Sequence, residues 1–145
     1  MRVTLLLADS AQEVGGKLYI LGGGWSITVP GTPSAIALKF EVPWDRANQR
    51  HEIELELLTG DGDPVLVPGP DGEPIPLRIE GQLEVGRPAG LKPGTPIDAA
   101  MAINLGPLPL EPDRRYQWRL SIDGEHDEDW ILGFSTRPAA APPTA

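Results

Sequence analysis

HEIELEL (His51–Leu57) and IPLRIEGQLEV (Ile75–Val85) alternate apolar and polar side chains with a period of two. A helix would smear this pattern around its surface, whereas a strand sends successive side chains to opposite faces. Each stretch therefore reads as a strand with one dry face. The same beat returns at Ile36, Leu38, Phe40 and Val42 and again at Tyr116, Trp118, Leu120 and Ile122, so it organises the whole chain. Alternation and turn chemistry together place strands near 2–8, 17–23, 25–29, 34–42, 51–59, 75–85, 96–105, 114–123 and 128–136, with Pro64–Val67 as a short extra edge strand. Nothing reads as a long helix.

The punctuation fits this map. Gly15-Gly16 lies between Val14 and Lys17, where a two-residue hairpin turn demands positive φ at both positions. Asp61-Gly62-Asp63-Pro64 and Pro70-Asp71-Gly72-Glu73-Pro74 are turn clusters whose prolines keep the residues between them away from a sheet centre. Gly86–Gly94 suits a longer crossing between two sheets. Strands with one apolar face, joined by short turns, favour antiparallel pairing and two sheets that hide their dry faces together. The expected core is Ile53, Leu55, Leu57, Ile79, Leu83, Val85, Ile103, Trp118, Leu120 and Phe134.

These features predict an all-β antiparallel β-sandwich of about 8–10 strands. A chain of 145 residues is one domain. It spans 1–137, and the Pro/Ala tail 138–145 lacks periodicity and core residues and is expected to be disordered.

Composition narrows the function classes. The chain has no cysteine, which removes disulfides, thiolate metal sites and cysteine nucleophiles and fits a reducing, cytoplasmic setting. The apolar run after Arg2 is too short for a signal-peptide core, and no segment approaches the ~20 apolar residues of a membrane span. A formal net charge of −9, with arginines scattered among carboxylates, argues against nucleic acid as a partner.

Leu108, Leu110, Pro112, Asp113 and Tyr116, leading into the strand YQWRLSI, resemble the tyrosine corner of immunoglobulin-like and fibronectin-type sandwiches. The resemblance implies an immunoglobulin-like form for the sandwich and a Tyr116 hydroxyl that bonds backbone a few residues upstream. The opening LLLADSAQEVGGKLYILGGGW, with VPWDR, GRPAGLKPGTP and GPLPLEPDRRYQWRLSIDG, resembles a family of short uncharacterised bacterial proteins over nearly the whole chain. That resemblance brings no activity, substrate or site residues.

Several patterns invite chemistry. The acidic run Asp123–Asp129 begins with EF-hand spacing, but Glu128 stands where glycine is needed and Phe134 where a bidentate glutamate belongs. A solvated hairpin tip is the simpler reading. The sharper alternative is a C2-like calcium or ligand sensor using Asp123, Asp127 and Asp129. Glu52, Glu54 and Glu56 repeat about 6.8 Å apart along one strand face, a separation compatible with paired carboxylate catalysis, yet they occupy the wet side of an amphipathic strand. Cross-strand arginines such as Arg78 or Arg119 would ease their repulsion. Gly15-Gly16-Lys17 lacks the hydroxyl residue and glycine spacing of a P-loop, and Gly24–Thr28 lacks the final glycine of a nucleophile elbow. Two histidines leave little material for a triad or a zinc site.

Trp118 and Trp130 fall on the apolar beat and belong to the core. Trp25 follows a triple glycine and Trp44 follows Pro43, so these two either plug the sandwich ends or anchor a partner. The sequence thus points to a non-catalytic binding or assembly module without metal or cofactor. Its expected partner is a protein, met through Trp25 and Trp44 or, for a second copy of the chain, through an open sheet edge.

Overall fold

A computed structural model describes residues 1–140. Its strands are β1 (Arg2–Ala8), β2 (Ser10–Val14), β3 (Lys17–Leu21), β4 (Ile27–Thr28), β5 (Ser34–Val42), β6 (His51–Thr59), β7 (Leu66–Pro68), β8 (Pro74–Pro76), β9 (Arg78–Leu83), β10 (Ile97–Leu105), β11 (Arg115–Ile122) and β12 (Glu125–Thr136), with one 3₁₀ turn at Trp44–Arg46. A three-stranded sheet has the order β1-β5-β10, and a five-stranded sheet the order β4-β12-β11-β6-β9. All neighbours pair antiparallel except β4, which runs parallel to β12. Two small hairpins, β2-β3 and β7-β8, complete the fold.

The dry faces of the two larger sheets form one core. Ile36, Leu38, Phe40 and Val42 from β5 join Ile53, Leu55 and Leu57 from β6 and Trp118, Leu120 and Ile122 from β11. Of the ten expected core residues, Ile53, Leu55, Leu57, Leu83, Trp118, Leu120 and Phe134 are buried, while Ile79, Val85 and Ile103 are half-buried at its margin. The fold is therefore all-β, antiparallel in its main pairings and single-domain, as the alternation predicts.

The differences are local and have identifiable causes. Residues 75–85 do not form one strand: Leu77 breaks from the ladder to bond Leu57 and Val65 through the backbone, so Pro74–Pro76 pairs with β7 and Arg78–Leu83 with β6. The expected edge strand near Pro64–Val67 appears as a bridge from Pro64 to Leu58 followed by β7. Residues 10–14, left without a strand by the sequence pattern, form β2. The expected strand 25–29 shrinks to two residues.

At the corner before β11, the Tyr116 hydroxyl accepts the Glu111 amide at 2.9 Å, the upstream backbone contact that the corner resemblance implies. Thr136 adds a second clasp, donating its hydroxyl to the Glu111 carbonyl at 2.6 Å and accepting the Arg114 amide at 3.0 Å. Residues 138–140 are exposed and carry no strand. The rest of the expected tail, 141–145, lies outside the described residues.

Candidate functional site

The two tryptophans expected as anchors lie at opposite ends of the sandwich. Gly24 donates its amide to the Leu7 carbonyl at 2.7 Å, which fixes Trp25 beside the end of β1, where Ala8 faces Ala35. Trp44 follows Val42 at the other end of β5, where Arg2 faces Glu41. The nine residues of β5, at about 3.3 Å each, separate them, so they form no shared patch. Trp25 turns into the core and meets Phe134 edge-on, with ring centroids 6.3 Å apart, while Tyr116 stacks on that phenyl ring. Its indole Nε1 is buried and has no partner among the described residues. Trp44 is half-buried: the Arg87 guanidinium sits 4.5 Å above its ring and donates to its carbonyl at 2.8 Å. With Met1, Pro43 and Pro96, Trp44 walls a hollow of about 660 Å³.

The acidic run is mostly strand. Asp123 and Gly124 have φ of 53° and 78°, the left-handed pair of a tight hairpin turn, and Ile122 faces Glu125 directly. The register of β11 on β12 shifts between Arg119 and Ser121, where Asp127–Trp130 stand opposite Leu120 alone. Asp127 accepts the Asp129 amide at 2.9 Å. Asp123 turns the other way: its carboxylate accepts the Glu52 amide at 2.9 Å, contacts His51 Nδ1 at 2.8 Å and receives Arg46 at 3.1 Å. The His51 bond, then the Glu52 amide, hold the Asp123 carboxyl below its ordinary value. His51 is buried, and its Nε2 donates to the Arg46 carbonyl at 3.0 Å. Asp123 therefore ties the hairpin tip to the start of β6, and the structure does not gather Asp123, Asp127 and Asp129 around one point. Among the described residues, no three His, Cys, Asp or Glu side chains could hold a metal ion together.

The glutamate row faces water. Arg78, the register partner of Glu56, donates to it at 2.8 Å and lies 3.6 Å from Glu54, and Gln82 donates to Glu52 at 3.3 Å. Arg119 stands opposite Glu56 on the other flank. Arg78 thus eases the repulsion along a wet sheet face.

A different surface escaped the sequence pattern. Gly15 and Gly16, at φ of 60° and 79°, close the β2-β3 hairpin, which folds over the outer face of the three-stranded sheet. Leu18 and Ile20 pack there on a bed of alanines, Ala8, Ala35 and Ala37, beside Ala11 of β2. Asn104 on β10 clasps Ala11 through both amide atoms. Alternation then turns Val14, Tyr19 and Leu21 outward, 57%, 56% and 70% exposed. The segment KLYIL held the signal, because it is apolar at both parities and so has two faces to cover.

A family model matches residues 3–133, and the chain belongs to that family, described as a family of unknown function (DUF6941). No curated protein and no solved structure matches the chain.

Proposed function

We propose, for this member of a family without assigned activity, a non-catalytic β-sandwich that binds or assembles proteins through the outer face of the β2-β3 hairpin. The observation that carries this reading is the apolar surface of Val14, Tyr19 and Leu21 on one face of an element that the main core does not need. The overall form is immunoglobulin-like. Its support is the order β1-β5-β10 against β12-β11-β6-β9, together with the hydroxyl clasp of Tyr116 on Glu111.

Function without catalysis is supported by where the polar groups are spent. His51 is engaged by Asp123 and Arg46, His126 donates to the Leu120 carbonyl, and the glutamate row is paired with Arg78 and Gln82 in water. The same commitment of Asp123 disfavours a calcium-sensing loop. Trp25 and Trp44 take structural roles, one as a core plug and one as a stacking partner for Arg87. The chain works in the cytoplasm with a protein partner, a reading supported by its lack of cysteine and, against nucleic acid, by its charge of −9. Among the described residues, no helix is long and apolar enough to cross a membrane.

The test is capture with a tagged chain in the native cell extract, using the parent and a Val14→Ser, Leu21→Ser double variant. Loss of the parent's partners, second copies of the chain included, with an unchanged melt supports the reading. Full retention of those partners refutes it.

A further inference from the structure

The open strand edges of this molecule differ in what they offer another chain. β9 carries Glu80 directly across from Glu54, β10 carries Asp98, β7 and β8 contain Pro68, Pro74 and Pro76, and β4 is two residues long. The flank of β1 lies against β12 of the opposite sheet. β3 remains: Lys-Leu-Tyr-Ile-Leu, with no carboxylate and no proline, on a chain whose net charge is −9. Carboxylates brought together at a seam repel on a chain this acidic, and β3 brings none of its own to the seam.

The phase of its backbone is fixed by the turn. A two-residue hairpin loop makes Val14 and Lys17 a pair that exchanges both backbone bonds, so Gln12 and Tyr19 do the same one step on. Lys17 and Tyr19 thus turn their N–H and C=O groups toward β2, while Leu18 and Ile20 turn theirs to the open side. Ala11 checks this phase independently, since it should present its groups on the outer side of β2, and both are taken there by Asn104. Outside the β2-β3 ladder itself, no hydrogen bond reaches the backbone of Leu18 or Ile20 among the described residues.

We infer that β3 pairs with β3 of a second copy, antiparallel about a two-fold axis through Tyr19. This inference rests on the binding reading above and names the partner. In that register Leu18 stands opposite the partner's Ile20 and Ile20 opposite the partner's Leu18. Each is a residue with free groups facing a residue with free groups, so the bonds are made in phase on both sides of the axis. Tyr19 meets the partner's Tyr19 in the closer, non-bonded kind of pair, with Cα atoms about 4.5 Å apart, where aromatic rings interact across strands. Lys17 meets the partner's Leu21, so no like charges oppose. The product is a continuous β2-β3-β3-β2 layer, an isologous contact that closes at two copies. It consumes the free backbone groups of Leu18 and Ile20 and sets the two Tyr19 rings side by side on the outer face of the layer.

The full chain is examined by sedimentation over a concentration series beside Tyr19→Glu, which sets two carboxylates against each other on the axis at an exposed position. The chain has no cysteine, so Tyr19→Cys and Leu21→Cys each introduce a single thiol. The parent is expected to sediment as a dimer and Tyr19→Glu as a single chain that still melts cooperatively. Mild oxidation should link Tyr19→Cys into a covalent dimer and leave Leu21→Cys, displaced from the axis, unlinked. A parent that stays a single chain at every concentration overturns the pairing, as does Tyr19→Cys linking no faster than Leu21→Cys. The two readings fail separately. A dimer that survives Tyr19→Glu removes this edge but keeps assembly, whereas a monomeric parent that still captures a partner lost in Val14→Ser, Leu21→Ser removes the second copy but keeps the hairpin face.

Discussion

Asn104 holds Ala11 by both backbone groups: its Oδ1 accepts the Ala11 amide at 3.1 Å, and its Nδ2 donates to the Ala11 carbonyl at 2.7 Å. A side-chain amide here stands in for a neighbouring strand. It blunts the outer edge of β2 and fixes the hairpin over the alanine bed, where small side chains supply little apolar area to do so.

Replacing this clasp should therefore loosen the hairpin without melting the sandwich. Asn104→Leu removes two hydrogen bonds at about 1 kcal/mol each. The expected outcome is faster amide hydrogen exchange at Ala11, with unchanged exchange at Leu55 and Leu57. Equal acceleration at all three positions would show that the hairpin is part of the global cooperative unit.

Asp123 gives a pH signature. Its folded carboxyl lies below its ordinary value because His51 and the Glu52 amide bond the ionised form. A depressed folded value contributes stability that is complete above the unfolded carboxylate value of about 4 and is lost as pH falls through the folded one. Asp123→Asn keeps a residue that tolerates the φ of 53° but removes the charge. It should melt below the parent at pH 7, and the gap should narrow as pH falls below about 4. A gap that is constant from neutral to acid pH would assign the loss to geometry.

The shared core has a direct magnitude. Leu55 is fully buried between the sheets, so Leu55→Ala should cost about 2–5 kcal/mol in a denaturant melt and Leu55→Asp should abolish cooperative folding. A soluble Leu55→Asp chain with the parent's melt would contradict the packing of β6 against β5.

Trp25 separates a core plug from an anchor. Its buried Nε1 lacks a partner among the described residues, and an unmet buried donor costs about 1–3 kcal/mol. Trp25→Phe removes that donor together with some volume, so it should destabilise less than Trp118→Phe in the same melt. An equal or greater loss would mean that the indole nitrogen is satisfied in solution.

Much of this architecture is legible in the chain because alternation reports one dry face, and β6, β9 and β11 each have one. The corner at Tyr116 and the turn at Gly15-Gly16 carry their own chemistry and read correctly for that reason. β2 stayed silent because the residue it buries is Ala11 and the surface it covers is also alanine, so no apolar beat marks it. β5 misleads in the same way: Ala35 and Ala37 are small enough to pass for a wet face, yet the hairpin buries them. The acidic run reads as a hairpin tip with its second strand from 128, but Asp123-Gly124 alone completes the turn and returns Glu125 to the ladder. The tryptophans stand out as large aromatics, whereas the exposed apolar face of the hairpin is built from Val14, Tyr19 and Leu21; the pattern shows the strand of Tyr19 and Leu21 at 17–23 but not β2, which carries Val14.

The most direct measurement of the hairpin as a docking edge is residue-resolved amide hydrogen exchange of the full chain at low and high protein concentration. The Leu18 and Ile20 amides, which face open solvent in the single chain, should exchange fast when dilute and become protected as concentration rises, while β9 and β10 do not change. Fast exchange of Leu18 and Ile20 at every concentration, or protection that rises at β9 or β10 instead, would contradict the account.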